Sequence, residues 1–275
     1  MSVVAIRESP EREPVVLRAD IARVLPLYVT AIAVAELLVA FVDPLAGTLV
    51  DAVVLLALVN HHAWLGSKSS TAARVPAETA VLPVLALLPI LRIASVAMPL
   101  SALPEILWYA AVGAPVLAGA SLAARLAGLK PADIGLRVRS WPLQIAAAAA
   151  GLPLGLAAYL IVRPGVVGGA SGAGRALLAE AILLVCVGLA EELVFRGLIQ
   201  TVFDGALRCP GVVWSTLLFT LVYAGSGNAA YIAFIAVVGL AFGCWVRLTG
   251  SIVGVAMAHG LLVSGLLIAW PQALS

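Results

Sequence analysis

Charge is scarce in this sequence. Only 11% of its 275 residues are Asp, Glu, Lys or Arg, against 63% hydrophobic, and the mean hydropathy is +1.12. A water-soluble globular domain carries about 25% charged residues. The composition therefore excludes one and requires a chain solvated by lipid. Cysteine is scarce too: Cys186, Cys209 and Cys244 are too few and too scattered for a disulfide framework or a CxxC metal site. They read as small apolar packing residues. The net charge of +2 is too small to point to a nucleic-acid partner. The opening "MSVVAIRESPEREPVVLRAD" lacks the apolar core of a cleavable signal peptide. Residues 1–21 are expected to be a cytoplasmic tail along the membrane surface. No internal repeat is visible.

Long apolar runs are what the sequence does have. Backbone polar groups in lipid must be paired internally, which leaves helices or a closed barrel. The runs are ~20 residues long, not ~10-residue alternating strands, so helices are expected. The expected fold is all-α, a polytopic membrane helix bundle. Nine spans are predicted near 22–43, 46–64, 78–98, 105–127, 142–162, 176–199, 211–227, 229–248 and 251–271. Eight is the alternative, if the short seventh runs on into the eighth through "AGSGN". With nine spans and a cytoplasmic N-terminus, Arg7, Arg12, Arg18, Arg23, Lys68, Arg74, Arg125, Lys130, Arg137, Arg139, Arg208 and Arg247 lie inside. Only Arg163 and Arg175 lie outside. Twelve against two sets the orientation as N-in, C-out. An N-terminal four-helix half, 22–127, is expected to join a core, 142–275, through the cytoplasmic loop 128–141. The glycine-rich outside loop "GVVGGASGAG" is expected to be flexible.

Ionisable side chains inside these spans are costly, ~2.5–3.5 kcal/mol at the bilayer centre, and are functional candidates for that reason. The clearest are Glu36, Arg92, Glu180, Glu191, Glu192, Arg196 and His259. Glu191 lies eight positions before the inner end of its span, and His259 eight positions after the inner start of its own. At ~1.5 Å per residue both sit ~12 Å below the cytoplasmic face. Glu192 and Arg196, spaced i,i+4, share a helix face and can pair. Glu191, turned ~100° away, is expected to be free. A free carboxylate in a dry pocket fits a general base that takes a proton from water. The same residues also suit a purely structural Glu–Arg pair or a polar lock between helices.

"EELVFRG" resembles the EExxxR motif of the CAAX protease and bacteriocin-processing (CPBP) family, glutamic-type intramembrane endopeptidases related to the CAAX prenyl endopeptidases. "GLAFGCWVRLTGSIVGVAMAHG" is similar to the family's glycine-rich span, its Thr-Gly-Ser turn and the following helix that reaches a histidine. "PADIGLRVRSWP" resembles the segment that precedes the family core. The resemblance covers about Asp133 to Leu267. It implies that Glu191 activates the attacking water, that Glu192 and Arg196 hold the helix and the pocket's charges, and that His259 stabilises the oxyanion. No metal or other cofactor is implied. Two positions depart from the pattern. Tyr223 stands where FxxxH has histidine, after Phe219, and Val263 stands where HxxxN has asparagine. Tyrosine, with an ordinary pKa of ~10, is a poor base near neutrality. Valine's side chain donates nothing. Asn228 and Ser264 are the candidate substitutes.

Structural roles are expected elsewhere. His61 and His62 are read as interfacial anchors, with metal binding as the rival, and Trp64, Trp141 and Trp245 as an aromatic belt at the same face. Arg92 is expected to snorkel outward and Glu36, at similar depth, to pair with it. Glu180 is expected to pair with Arg163 or Arg175.

The resemblance implies an endopeptidase that cuts a membrane-associated peptide or protein near the cytoplasmic face. The alternative is an inactive relative acting as a binding, immunity or scaffold subunit, which Tyr223 and Val263 favour. A proton-coupled carrier is the third reading, but no paired interrupted helices support it. Fourteen arginines to two lysines fit a GC-rich prokaryotic gene, hence a multi-pass protein of a prokaryotic plasma membrane. Prenylated tails, the substrate of the eukaryotic relatives, are therefore not assumed.

Overall fold

The computed structural model describes residues 19–68, 80–98, 100–167, 173–206 and 210–274. The N-terminal tail to residue 18, Arg74, Arg208, Cys209 and part of the glycine-rich loop lie outside the described residues. Among those described there is no strand, and the chain forms nine helical rods. These are α1 (Ala19–Phe41), α2 (Pro44–Lys68), α3 (Val81–Ala97), α4 (Glu105–Leu126), α5 (Trp141–Val162), α6 (173–206), α7 (Gly211–Val222), α8 (Ala229–Thr249) and α9 (Val253–Leu274). By length and composition α1, α2, α4, α5, α8 and α9 are six candidate membrane spans, while α3 and α7 are shorter apolar helices.

The breaks have local causes. Proline clashes with the carbonyl four residues earlier. Pro89 does so at Leu85, and α3 is interrupted at Ala86; Pro153 does so at Ala149, and α5 is interrupted at Ala150. "AGSGN" is not helix that continues α7 into α8. It closes in a short 3-10 turn, Gly227 takes a left-handed φ of 63°, and Asn228 begins α8 by accepting the Tyr231 N–H at 3.1 Å. Gly supplies a positive φ without strain.

α6 is the central rod. Phe195, Leu198, Ile199 and Phe203 on it are wholly buried. The outward faces carry leucine and valine, such as Leu177, Val237 and Leu248, the surface that a bilayer solvates. Against α6 lies α9, in direct backbone contact. A Cβ on Gly188 would collide with the carbonyl of Ala256 and the backbone of Gly260, and one on Gly260 would collide with Leu184. Small residues permit this approach between membrane helices. The start of α9 is held by the connecting loop and the first turn of α5: Ile252 N–H donates to the Gly135 carbonyl at 3.0 Å, and Gly254 N–H donates to Gln144 Oε1 at 2.7 Å. This clamp sets where His259 meets α6.

Candidate active site

The two glutamates sit in one short α-helical turn, Ala190–Glu192, between π-helical stretches Leu183–Leu189 and Leu193–Ile199. Such wide turns occur mostly as single bulges and often at functional sites. Glu192 and Arg196 pair as their spacing implies, Nη1 to Oε1 at 2.9 Å, with both side chains 0% exposed. Arg196 also donates through Nη2 to the Gly239 carbonyl at 3.0 Å, and its guanidinium lies 4.3 Å from the centroid of Phe219. One turn on, Gln200 donates to the Gly243 carbonyl at 3.0 Å. Two α6 side chains four residues apart thus bind two α8 carbonyls four residues apart.

His259 is brought to both carboxylates. Its Nδ1 is 2.9 Å from Glu192 Oε1, and its Nε2 is 3.9 Å from Glu191 Oε2. An ionised carboxylate only accepts, so Nδ1 carries the proton towards Glu192. Nε2 is left facing Glu191. Phe219 meets the imidazole edge-on, 5.9 Å between centroids. This packing and the Glu192 bond fix the ring's orientation.

Glu191 is not free. The Tyr223 hydroxyl donates to its Oε2 at 2.9 Å. Tyr223 caps the C-terminal end of α7, and the turn there swings the phenol across to α6. Two cavities adjoin the site, and Glu191 lines the second. One, of about 10 Å³, is lined by Phe219, Tyr223, Tyr231, His259 and Val263 and is just large enough for about one water. The other, of about 60 Å³, lies between α6, α3 and α4 and is bounded by Glu191, Tyr109, Gly113 and Cys186.

Both candidate substitutes bond outside the site. The Asn228 amide oxygen caps the start of α8, and the Ser264 hydroxyl donates to Glu180. That contact also replaces the expected pairing of Glu180 with Arg163 or Arg175. Glu36 and Arg92 do pair, as their matched depth suggested. Arg92 does not snorkel outward; its guanidinium turns inward to Glu36 and to the Val222 carbonyl. His61 shares a hydrogen bond with the Tyr28 hydroxyl at 3.2 Å. Among the described residues no three His, Cys, Asp or Glu side chains cluster as a metal site.

Three polar residues escaped the sequence reading. Gln200 was detectable from its i,i+4 spacing to Arg196. Asp51 is wholly buried in α2, and an acid inside a predicted span was its signal. Tyr109 had none, since only packing places it beside Glu191.

An all-helical chain whose apolar rods enclose an ion pair, a histidine and a second carboxylate is an integral membrane protein with an intramembrane polar site. Residues 174–264 match the family model described as Rce1-like, type II CAAX prenyl endopeptidase, and over that segment the chain is CAAX-protease-like. The match spans most of α6, all of α7 and α8, and α9 as far as Ser264, so it contains Glu191, Glu192, Arg196, Tyr223 and His259. No curated protein and no solved structure matches the chain.

Proposed function

We propose that the protein is an intramembrane endopeptidase that hydrolyses a peptide bond of a membrane-associated peptide or protein by glutamate-activated water. The observation that carries this is the 3.9 Å separation of Glu191 Oε2 from His259 Nε2, with His259 oriented by Glu192 and Glu192 by Arg196. In this reading a water in the cavity beside Glu191 gives its proton to the carboxylate and attacks the scissile carbonyl. The proton then passes to the leaving amine. In this reading His259 is protonated at both nitrogens, so that Nδ1–H is held by Glu192 while Nε2–H faces the developing oxyanion, where a fixed donor in a dry site is most effective. A carboxylate base and an imidazole donor require no metal.

The second reading, an inactive binding or scaffold subunit, is favoured by the Tyr223 hydroxyl on Glu191 and by Val263, which gives no donor beside His259. Incubating the purified protein with membrane-anchored peptides separates the two. Cleavage by the wild type that disappears in Glu191→Gln supports hydrolysis, because an amide cannot take a proton from water. Cleavage that survives Glu191→Gln eliminates the glutamate-base mechanism.

The same proposal places the chain N-in and C-out with nine crossings, on the twelve-to-two bias of basic residues. A reporter fused to the C-terminus is expected on the non-cytoplasmic side. Its appearance in the cytoplasm would overturn this topology.

A further inference from the structure

A second buried polar cluster links the N-terminal half to Tyr223. Glu36 on α1 is buried and receives two N–H groups of Arg92 on α3, one of them Nε at 3.1 Å. Arg92 Nη2 also donates to the Val222 carbonyl at 2.8 Å. Val222 ends α7, where carbonyls have no partner within the helix. The next residue is Tyr223, whose hydroxyl covers Glu191. One guanidinium therefore ties α1 to the end of α7, one residue from the group that caps Glu191.

The cluster holds a further carboxylate with no bond at all. Asp51 on α2 is 0% exposed, and neither of its oxygens has a hydrogen-bond partner. α2 packs against α1, which carries Glu36, and against the segment of α3 that carries Arg92. A buried ion without a partner is strongly disfavoured, and a guanidinium has five N–H donors with which to supply one. We propose that Arg92 is a positioning residue that latches Tyr223 onto Glu191, and that Asp51 is the second seat to which its guanidinium moves when the latch opens. With Arg92 on Glu36 and Val222, the phenol covers the carboxylate. With Arg92 on Asp51, the Val222 carbonyl loses its donor and the end of α7 is released. Tyr223 then swings off Glu191 and exposes it to water and peptide. The inference rests on Glu191 being the working group of the site. It gives a role to α1, α2 and α3, which lie outside the family match.

The test reads exposure of Glu191 rather than turnover. Purified full-length protein is treated with dicyclohexylcarbodiimide, which modifies carboxyl groups in apolar surroundings, and Glu191 labelling is followed by mass spectrometry. Tyr223→Phe removes the covering hydroxyl and is expected to raise the labelling rate by about tenfold or more, the scale of one hydrogen bond to a charged group. Arg92→Ala is expected to raise it similarly, yet to add nothing in a Tyr223→Phe background. Glu36→Gln should also raise it, by releasing Arg92 towards Asp51, whereas Asp51→Asn should lower it below wild type. Arg92→Lys should fall between wild type and Arg92→Ala. An unchanged rate in folded Arg92→Ala, an additive increase in the double variant, or a faster rate in Asp51→Asn overturns the latch. If Arg92→Ala does not fold, Glu36→Gln and Asp51→Asn decide by their opposite signs. The expected labelling pattern without peptide cleavage would remove the proteolytic reading and leave the latch standing. Glu191-dependent cleavage with no labelling change would remove the latch alone.

Discussion

Arg196→Ala is expected to destabilise the protein by about 3–5 kcal/mol, the scale for stripping one partner from a buried ion pair. Glu192 is 0% exposed, and its Oε1 serves both Arg196 and His259 while Oε2 has no partner. Removing the guanidinium leaves the carboxylate with the imidazole alone. It also frees the Gly239 carbonyl and empties the space under Phe219. Glu191→Gln should cost far less, since an amide oxygen still accepts from Tyr223. Thermal unfolding in detergent compares the two directly. Equal losses would contradict this division of roles. Arg196→Lys should keep part of the stability through its charge but cannot reproduce a bond to Glu192 and a second to Gly239 with one rigid fork.

The largest gain is expected from Tyr223→His combined with Val263→Asn. The first change shortens the side chain, uncovers Glu191 Oε2 and supplies an imidazole in the cavity that holds His259. The second puts an amide donor one helical turn from His259 on the wall of the same cavity. A single oxyanion donor is worth about 10²–10³ in rate, so cleavage should rise by at least that factor over wild type, or be created in a silent protein. The conjugate loss is His259→Ala, which should cost about 10²–10³ wherever cleavage is measurable. If the folded double variant cleaves nothing and wild type cleaves nothing, the binding or scaffold reading becomes the better account.

Much of the fold was legible because its rules are local. Apolar runs, proline positions and the glycines of "AGSGN" determine where rods begin and end, and they do so without tertiary information. The Glu192–Arg196 pair was legible for the same reason, as was the pairing of Glu36 with Arg92 from equal depth in two spans that run in the same direction. The contacts of Glu191 were not. α-Helical geometry turns it away from Arg196, but whether it is then free depends on α7, whose last turn carries the Tyr223 phenol across to it. The partners of Ser264 and Asn228 were not legible either: each is polar and near the right helix, but whether it meets Glu180 or the start of α8 depends on how far each rod has rotated. The π-helical stretches of α6 make that rotation hard to extrapolate, since each widens the turn by one residue. Asp51 illustrates a different gap: burial without a partner is a property of packing, and no spacing announces it.

The backbone contact of α6 with α9 at Gly188 and Gly260 has a consequence for traffic. At the depth of the carboxylates those two helices leave no room between them for even a methyl group, let alone a peptide. A substrate therefore cannot part them to reach Glu191. Cavities mark two other approaches: from the flank of α4, where Tyr109 and Gly113 border the wider one, and past α7, where the phenol of Tyr223 stands in the way. The direction from which a guest can arrive is thus decided by two residues that have no side chain.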